Sequence, residues 1–328
     1  MIRPANAQSG MAVIAMLLLV AVIALMASAL LARQTTVLYG VQNEHTRLQG
    51  QWLLRGEISR SQVVLYDEAR RTPVTRLDGR WRQPRNGAIV GQLGGATARI
   101  FSEIDDEQAK FNLRNLVDNG EMDARETAAF LRLCALVGVS REQASLIARR
   151  VATSLVDAES PGNEQLNDQD AQAAQAAAES IGLSHLSRRE LAPRLRDLSD
   201  LLAVPGISAS SITRLQPYVT MLPQRSWINA NTAGPEVLAA WVPGLTLERA
   251  KALLVTRDNG QWFINRGDFT RRLQMPELDE IDIMIGITSQ WFRFNGALRT
   301  PQRTLLIQAL LFDNKANLPQ VIWLREGT

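Results

Sequence analysis

From Met11 to Ala32 the chain runs through Met, Ala, Val, Ile, Leu and one serine, and the first charge after this stretch is Arg33. A helix of about 20 apolar residues spans the hydrocarbon of a bilayer, whereas the core of a secretory signal is shorter. Ser28 can return its hydroxyl to a carbonyl one turn back, so nothing polar is stranded in lipid. Three fates fit such a segment: a signal-peptidase cut after Ala27-Ser28-Ala29, retention as an uncleaved anchor, or a cut in front of it. The helical pattern continues past Arg33. No proline interrupts residues 34–66, and Val37, Val41, Leu48, Trp52 and Ile58 recur near helical spacing. One helix is therefore predicted from Met11 to about Tyr66, roughly 80 Å long at 1.5 Å per residue. Its first half belongs in lipid or against other apolar helices, and its second half packs one stripe on a soluble head.

The chain of 328 residues allows about two domains. Lys plus Arg (36) against Asp plus Glu (33) leave a net charge of only +3, so no overall field calls for nucleic acid. Cys134 is the single cysteine, which excludes an intramolecular disulfide, and in FLRLCALVG it reads as a small buried hydrophobe. Residues 79–105 read as strands and turns, with a turn signal at Asn86-Gly87 and Gly94-Gly95 parting AIVGQL from TARIFSEID. Near the other end WFRFNGALR, RTLLIQALLFDN and QVIWLRE read as antiparallel strands, with turns expected at Asn295-Gly296 and Asp313-Asn314. A long helical region separates the two. The fold class expected is α+β: a long N-terminal helix on a small antiparallel sheet, with a large all-α domain inserted. Trp241, Trp262, Phe263, Trp291, Phe292 and Phe294 are candidates for core or subunit contacts.

The helical region holds a weak repeat, VPGIS at Val204–Ser208 and VPGLT at Val242–Thr246. With INANTAGPEVLAAWVPG before it and LERAKALLVTRDNGQWF after it, the second copy resembles the helix-hairpin-helix modules of DNA-binding proteins. Those hairpins use a second glycine where backbone amides meet phosphate; here Ser208 and Thr246 stand there. Glu248 and Asp258 also offset Arg249, Lys251 and Arg257, so no basic stripe forms. A corner that packs helices is the favoured reading, and a membrane-tethered DNA receptor the alternative. No HExxH, GxSxG or Walker-type motif is present, and His45 and His185 each stand alone in sequence. A non-enzymatic protein is expected.

Gln8-Ser9-Gly10 directly before Met11, followed by the unbroken apolar helix, resembles the type IV pilin family. The resemblance implies that prepilin peptidase cuts after Gly10, leaving Met11 as an N-methylated first residue that keeps its hydrophobic segment. Most pilins carry glutamate at the fifth mature position; here it is Ala15. That carboxylate is thought to pair with the N-terminal ammonium of the subunit above, and a buried charge without a partner is costly. Ala15 thus suits a subunit with nothing above it. This N-terminus, FNLRNL at Phe111–Leu116 and SWINANTA at Ser226–Ala233 occur in the order that resembles the K-type minor pseudopilins of the type II secretion system. The resemblance spans essentially the whole chain.

It implies a leader at 1–10, a membrane and pilin helix at 11–66, a pilin-like β head from 67–111 and 286–328, and the inserted helical domain at 112–285. It also implies a single-pass protein of the bacterial inner membrane, with the large domain in the periplasm. This subunit would form the tip of the pseudopilus with I- and J-type minor pseudopilins, contact other pseudopilins, and help start assembly. No nucleic acid or small-molecule substrate is expected. Calcium is the one cofactor the resemblance suggests, in VDAESPGNEQLNDQDAQ. There Asp157, Glu159, Gly162 and Asp168 fall at positions 1, 3, 6 and 12 of a loose hand-like loop, with Glu164 and Asp170 nearby. Pro161 at position 5 and the short aspartate at position 12 depart from that pattern, so a solvated acidic loop stands as the other reading.

Overall fold

The computed structural model describes residues 9–155, 168–182, 193–275 and 284–327. It opens on a single helix, α1 (Ser9–Arg71), which begins ahead of Met11 and runs past Tyr66. Arg70 and Arg71 in its last turn suit the negative end of the helix dipole, and Pro73 keeps it from continuing. Among the described residues it is the one helix long and apolar enough to cross a membrane. Beyond it come β1 (Arg85–Leu93) and β2 (Ala96–Asp106), a hairpin that turns at Gly94-Gly95. Next are the short pieces β3 (Phe111–Asn112), β4 (Val117–Asp118) and β5 (Glu121–Met122).

Helices α2 (Ala124–Leu136), α3 (Arg141–Leu155), α4 (Asp168–Ser180) and α5 (Ala209–Leu215) follow, then β6 (Val219–Thr220) and β7 (Ile228–Asn229). Helices α6 (Pro235–Trp241), α7 (Leu247–Asp258) and α8 (Arg266–Leu273) lead to β8 (Ile285–Gly286). Three long strands close the chain: β9 (Trp291–Arg299), β10 (Thr304–Phe312) and β11 (Gln320–Gly327). The head sheet has the order β1-β2-β9-β10-β11, antiparallel throughout. Strands that are distant in sequence are thus neighbours, because β2 pairs with β9 across the whole helical region.

Two cores result. In the head, alternate residues of β2 (Ala98, Ile100, Ile104) and β9 (Phe292, Phe294, Leu298) face Leu54, Ile58 and Leu65 of α1. The period of two on the sheet meets the three-to-four spacing on the helix. In the helical part Phe130, Leu133, Ile147, Val151, Leu238, Phe263 and Phe269 are among the residues of a separate, larger cluster. Cys134 lies inside it, and burial pushes its thiol up to about 12, as fits an inert apolar filler.

The face that α1 presents to the sheet includes Ile58 of the predicted stripe but not Val41, Leu48 or Trp52. Gly50, Leu54, Glu57, Ile58, Ser61 and Leu65 are buried, whereas Val41, Leu48 and Trp52 are 63%, 44% and 69% exposed. Gly50 explains the choice. A side chain there would collide with Leu305 and crowd Leu298 and Leu93, so the helix comes closest to the sheet where it has none. The apolar stripe through Leu48 and Trp52 lies on the opposite side. Glu57 adds a polar clamp to the same contact: Arg85 Nη1 at 2.5 Å, Arg60 Nε at 2.8 Å and Ser102 Oγ at 2.8 Å all donate to its carboxylate.

Two turn expectations are also corrected. Asn295-Gly296 makes no turn and lies mid-strand in β9, where Gly296 faces Ile307 and Ser102. A Cβ on Gly296 would come within 2.7 Å of Phe294 and 2.9 Å of Ile307, so this glycine serves close packing. Asn86-Gly87 lies inside β1 at a register shift, a bulge with Gly87 at φ 71°. The chain does turn after Asp313, whose carboxylate accepts from the Lys315 amide at 2.8 Å.

Helix docking through Gly50 gives a paired prediction. Gly50→Leu should destabilise the solubilised protein by about 1–3 kcal/mol through overpacking. Gly56→Ala, on the open side of the same helix where nothing lies within 4 Å, should stabilise it by about 0.5–1 kcal/mol. Denaturant titration of both variants decides, and a tolerated Gly50→Leu would contradict the close approach.

Candidate assembly site

Gly10, Met11 and Ala15 all lie on the continuous first stretch of α1, with Met11 and Ala15 exposed along the apolar run. Leu38, Tyr39, Val41, Leu48 and Trp52 prolong this exposed surface towards the head. Arg55 covers part of it by stacking over Trp52 at 5.7 Å. The helix thus offers one side to its own sheet and another to whatever lies beside it.

The two motifs FNLRNL and SWINANTA come together at the junction of head and insert. Asn112 uses its whole amide: Oδ1 accepts from the Arg114 and Leu222 amides at 3.1 and 3.2 Å, and Nδ2 donates to Gln224 O and Ser226 Oγ. Asn115 pairs with both backbone groups of Ser226, accepting from its N–H at 3.1 Å and donating to its carbonyl at 2.9 Å. Its Nδ2 also donates to Glu126, whose other oxygen accepts from Trp241 Nε1 at 3.1 Å. Asn231 clasps Phe263 in the same way, at 2.9 Å in both directions. Side-chain amides replace sheet pairing where the chain crosses itself irregularly, and buried polar groups are thereby satisfied.

Asp106, at the end of β2, holds the crossing itself. Its carboxylate accepts from the hydroxyls of Thr232 and Ser289, each at 2.5 Å, from Asn229 Nδ2 at 3.3 Å and from the Gln108 amide at 2.8 Å. Asn229 also donates to the Thr75 carbonyl, and Thr75 accepts the Ser289 amide. Burial pushes the Asp106 carboxyl above its ordinary value, and the donors hold it back only in part. The neighbouring Glu107 is buried too, paired with Arg293 at 2.9 Å and Lys110 at 2.8 Å, and accepts from Thr220. Sequence reasoning found the two asparagine-rich motifs but missed Asp106, Glu107 and Glu126, because nothing local marks a carboxylate as buried.

The hairpins act as corners. Gly206 and Gly244 take φ of 88° and 78°, and the residues in place of the second glycine cap the following helices. Ser208 accepts from the Ser211 amide at the start of α5, and Thr246 from the Arg249 amide at the start of α7. Asp157, Glu159, Glu164 and His185 lie outside the described residues, while Asp168 opens α4. Among the described residues no three His, Cys, Asp or Glu gather as a metal site. His45 stands exposed on α1. Trp241, Phe263, Trp291, Phe292 and Phe294 are buried, with Trp262 half-buried beneath Arg76.

Glu126 is fully buried, and burial raises its carboxyl from 4.5 to about 7. The folded chain therefore keeps this proton where the unfolded chain has lost it. The contribution to stability is complete below about 4.5 and fades as pH rises to about 7, a loss of about 3 kcal/mol. Glu126→Gln removes the titration, whereas Asp106 titrates alike in both proteins. Wild-type stability minus that of the variant should fall by about 3 kcal/mol between those pH values; a difference that stays constant would refute the assignment.

Two sequence models of the family described as Type II secretion system (T2SS), protein K match residues 109–224 and 228–288. The Type II secretion system protein K of Pseudomonas aeruginosa is 30% identical over 318 residues, covering 94% of this chain and 90% of that one. Its counterpart from Klebsiella pneumoniae is 26% identical over 285 residues (84% and 82%), and that of Pectobacterium carotovorum 26% over 300 residues (87% and 86%). Among solved structures, a chain of the GspK-GspI-GspJ complex from the enterotoxigenic Escherichia coli type 2 secretion system superposes with a TM-score of 0.62 at 18% identity. That match covers 88% of this chain and 99% of the other, and shows that the fold is shared. Junction motifs, helix and sheet agree with these matches: the chain belongs to the type II secretion system protein K family of minor pseudopilins.

Proposed function

We propose that this minor pseudopilin forms the tip of the periplasmic pseudopilus, together with I- and J-type partners, and helps to initiate the fibre without catalysing a reaction. Ala15 carries the reading. On a helix that stays apolar and exposed through this region, the fifth residue after Gly10 has no carboxylate to offer a subunit above. The Met11 ammonium created by cleavage can still accept a carboxylate from a subunit below. The exposed Leu38, Val41, Leu48 and Trp52 give the helix an apolar side for neighbouring helices, turned away from its own sheet. The relative solved in a GspK-GspI-GspJ complex supports the choice of partners. On this reading prepilin peptidase cuts between Gly10 and Met11, Met11 is N-methylated, and α1 anchors the chain in the inner membrane.

Mass spectrometry of the N-terminus should find methylated Met11 in the wild type and intact Met1 in Gly10→Val, with secretion lost in the latter. A Gly10→Val chain that matures normally would move the cut site. In the same assay Ala15→Glu adds a charge costing a few kcal/mol at the membrane centre unless it is neutralised, so initiation should be impaired or unimproved. Unchanged secretion together with incorporation of that variant along the fibre would sink the tip assignment.

We also propose that Asp157, Glu159, Glu164 and Asp168 hold calcium. Carboxylates crowded on one loop repel one another, and a divalent cation that takes six to eight oxygens relieves this. An ion bound only by the folded state stabilises it by about 2.7 kcal/mol at a hundredfold excess over Kd. Millimolar calcium should therefore raise Tm by several degrees, EGTA should reverse the rise, and Asp157→Ala with Glu159→Ala should abolish it. Magnesium should do far less. A Tm indifferent to calcium means that Pro161 and the short Asp168 have spoiled the site, leaving a solvated acidic segment.

A further inference from the structure

The uncharged stretch of α1 ends at Ala32, and Asn43 and Thr46 follow about 16 and 21 Å further along the axis at 1.5 Å per residue. Both hairpin tips of the head meet the helix at this level. Arg303, in the β9–β10 turn, donates to Asn43 Oδ1 at 3.0 Å. Gly94, in the β1–β2 turn, stands so close to Thr46 that an added Cβ would lie 3.3 Å from its methyl. The tips of both hairpins therefore form the end of the head nearest the apolar segment. A headgroup layer is about 5–8 Å deep on each side of the hydrocarbon, which leaves this rim about 10 Å above it. That is about one Debye length at physiological salt, and a tilt of about 20° brings one side lower.

The rim is unevenly charged. Arg47, Arg99, Arg299 and Arg303 lie on or beside the two hairpin tips, with His45 exposed on the helix next to them and Arg33 about 15 Å lower on the same helix. Glu44 is bridged to Arg47 at 2.6 Å. Among the described residues no salt bridge joins Arg33, Arg99, Arg299 or Arg303 to a carboxylate, although Glu44, bridged to Arg47, also attracts Arg303 from further off; Arg99 donates to the Gly87 carbonyl, and Arg299 lies over the Phe101 ring at 4.6 Å. Arg99 and Arg299 also face each other directly across β2 and β9. Like charges so placed destabilise a sheet, and among the described residues no salt bridge relieves this pair.

We propose that this rim, Arg99, Arg299 and Arg303 with Arg33 beneath them, docks on anionic lipid headgroups while the subunit resides in the bilayer. The inference rests on α1 spanning the membrane, as proposed above. The helix itself selects lipid over an acidic protein as the occupant, because it holds the rim over the bilayer surface at a fixed height. Attraction favours an arginine at the surface itself about fivefold and decays within a Debye length, so each arginine at the rim keeps roughly a twofold preference, and more where tilt brings it lower.

The test uses the mature full chain in nanodiscs, with a fluorophore on Gln302→Cys in the β9–β10 turn; Cys134 is buried and escapes labelling. Quenching by nitroxide headgroups should be roughly twofold or more stronger in discs with about one third phosphatidylglycerol than in phosphatidylcholine alone. The excess should vanish at about 500 mM salt, where the Debye length is only a few ångström. Arg99→Gln with Arg299→Gln and Arg303→Gln should abolish it, and Arg299→Gln alone, which relieves the facing pair, should weaken it. Equal quenching in both lipids by a properly inserted chain overturns the proposal. So does displacement of the label by soluble polyglutamate, which would assign the rim to an acidic protein. Failure to insert at all would instead strike at the membrane-spanning reading.

Discussion

The Asp106 carboxylate is the point on which the two halves of this molecule depend. It sits where β2 ends and the chain departs into the helical insert, and Ser289, which donates to it, sits where the chain returns before β9. A buried carboxylate without an adjacent cation is tolerated only if its oxygens are filled, and here two hydroxyls, an amide side chain and a backbone N–H fill them. Thr232 and Asn229, both from SWINANTA, supply two of those donors. The insert thus contributes part of the coordination of a head residue. Its position follows from this hydrogen-bond geometry together with a small apolar contact of Leu222 on Trp291 and Leu310, since the two large hydrophobic clusters are separate.

The long helix solves a related problem with different means. One helix here has two faces, one against its own sheet and one left exposed. Gly50 lets the sheet come close on one side, Glu57 ties that side to the first hairpin through Arg85 and Ser102, and Trp52 and Leu48 are left on the other.

Much of this was legible in the residues. The uncharged run to Ala32, the absence of proline to Tyr66 and the alternating strands near each end led to the long helix and the antiparallel sheet, because these are local periodicities. The packing face of α1 was misread, since Val41, Leu48 and Trp52 match helical spacing as well as the true face does. A buried glycine and a buried glutamate carry no hydrophobic signal. Asn295-Gly296 failed as a turn cue because hydrogen bonding to β2 on one side and β10 on the other keeps it extended, a tertiary effect outweighing local preference. FNLRNL and SWINANTA were visible as patterns, yet their role as amide clamps appeared only when residues more than a hundred positions apart came within 3 Å.

The double crossing has a mechanical consequence. The insert is joined to the head by two chain segments that leave and re-enter beside one another, each bonded to the other through Asp106 and Ser289. A push delivered along α1 enters the sheet at Gly50 and Glu57 and passes between β2 and β9, the paired strands that also carry the two crossings. Load on the insert is then borne by both segments at once. The hydrogen bonds between them are sheared together and cannot be peeled one at a time. Such a joint yields as a unit or not at all.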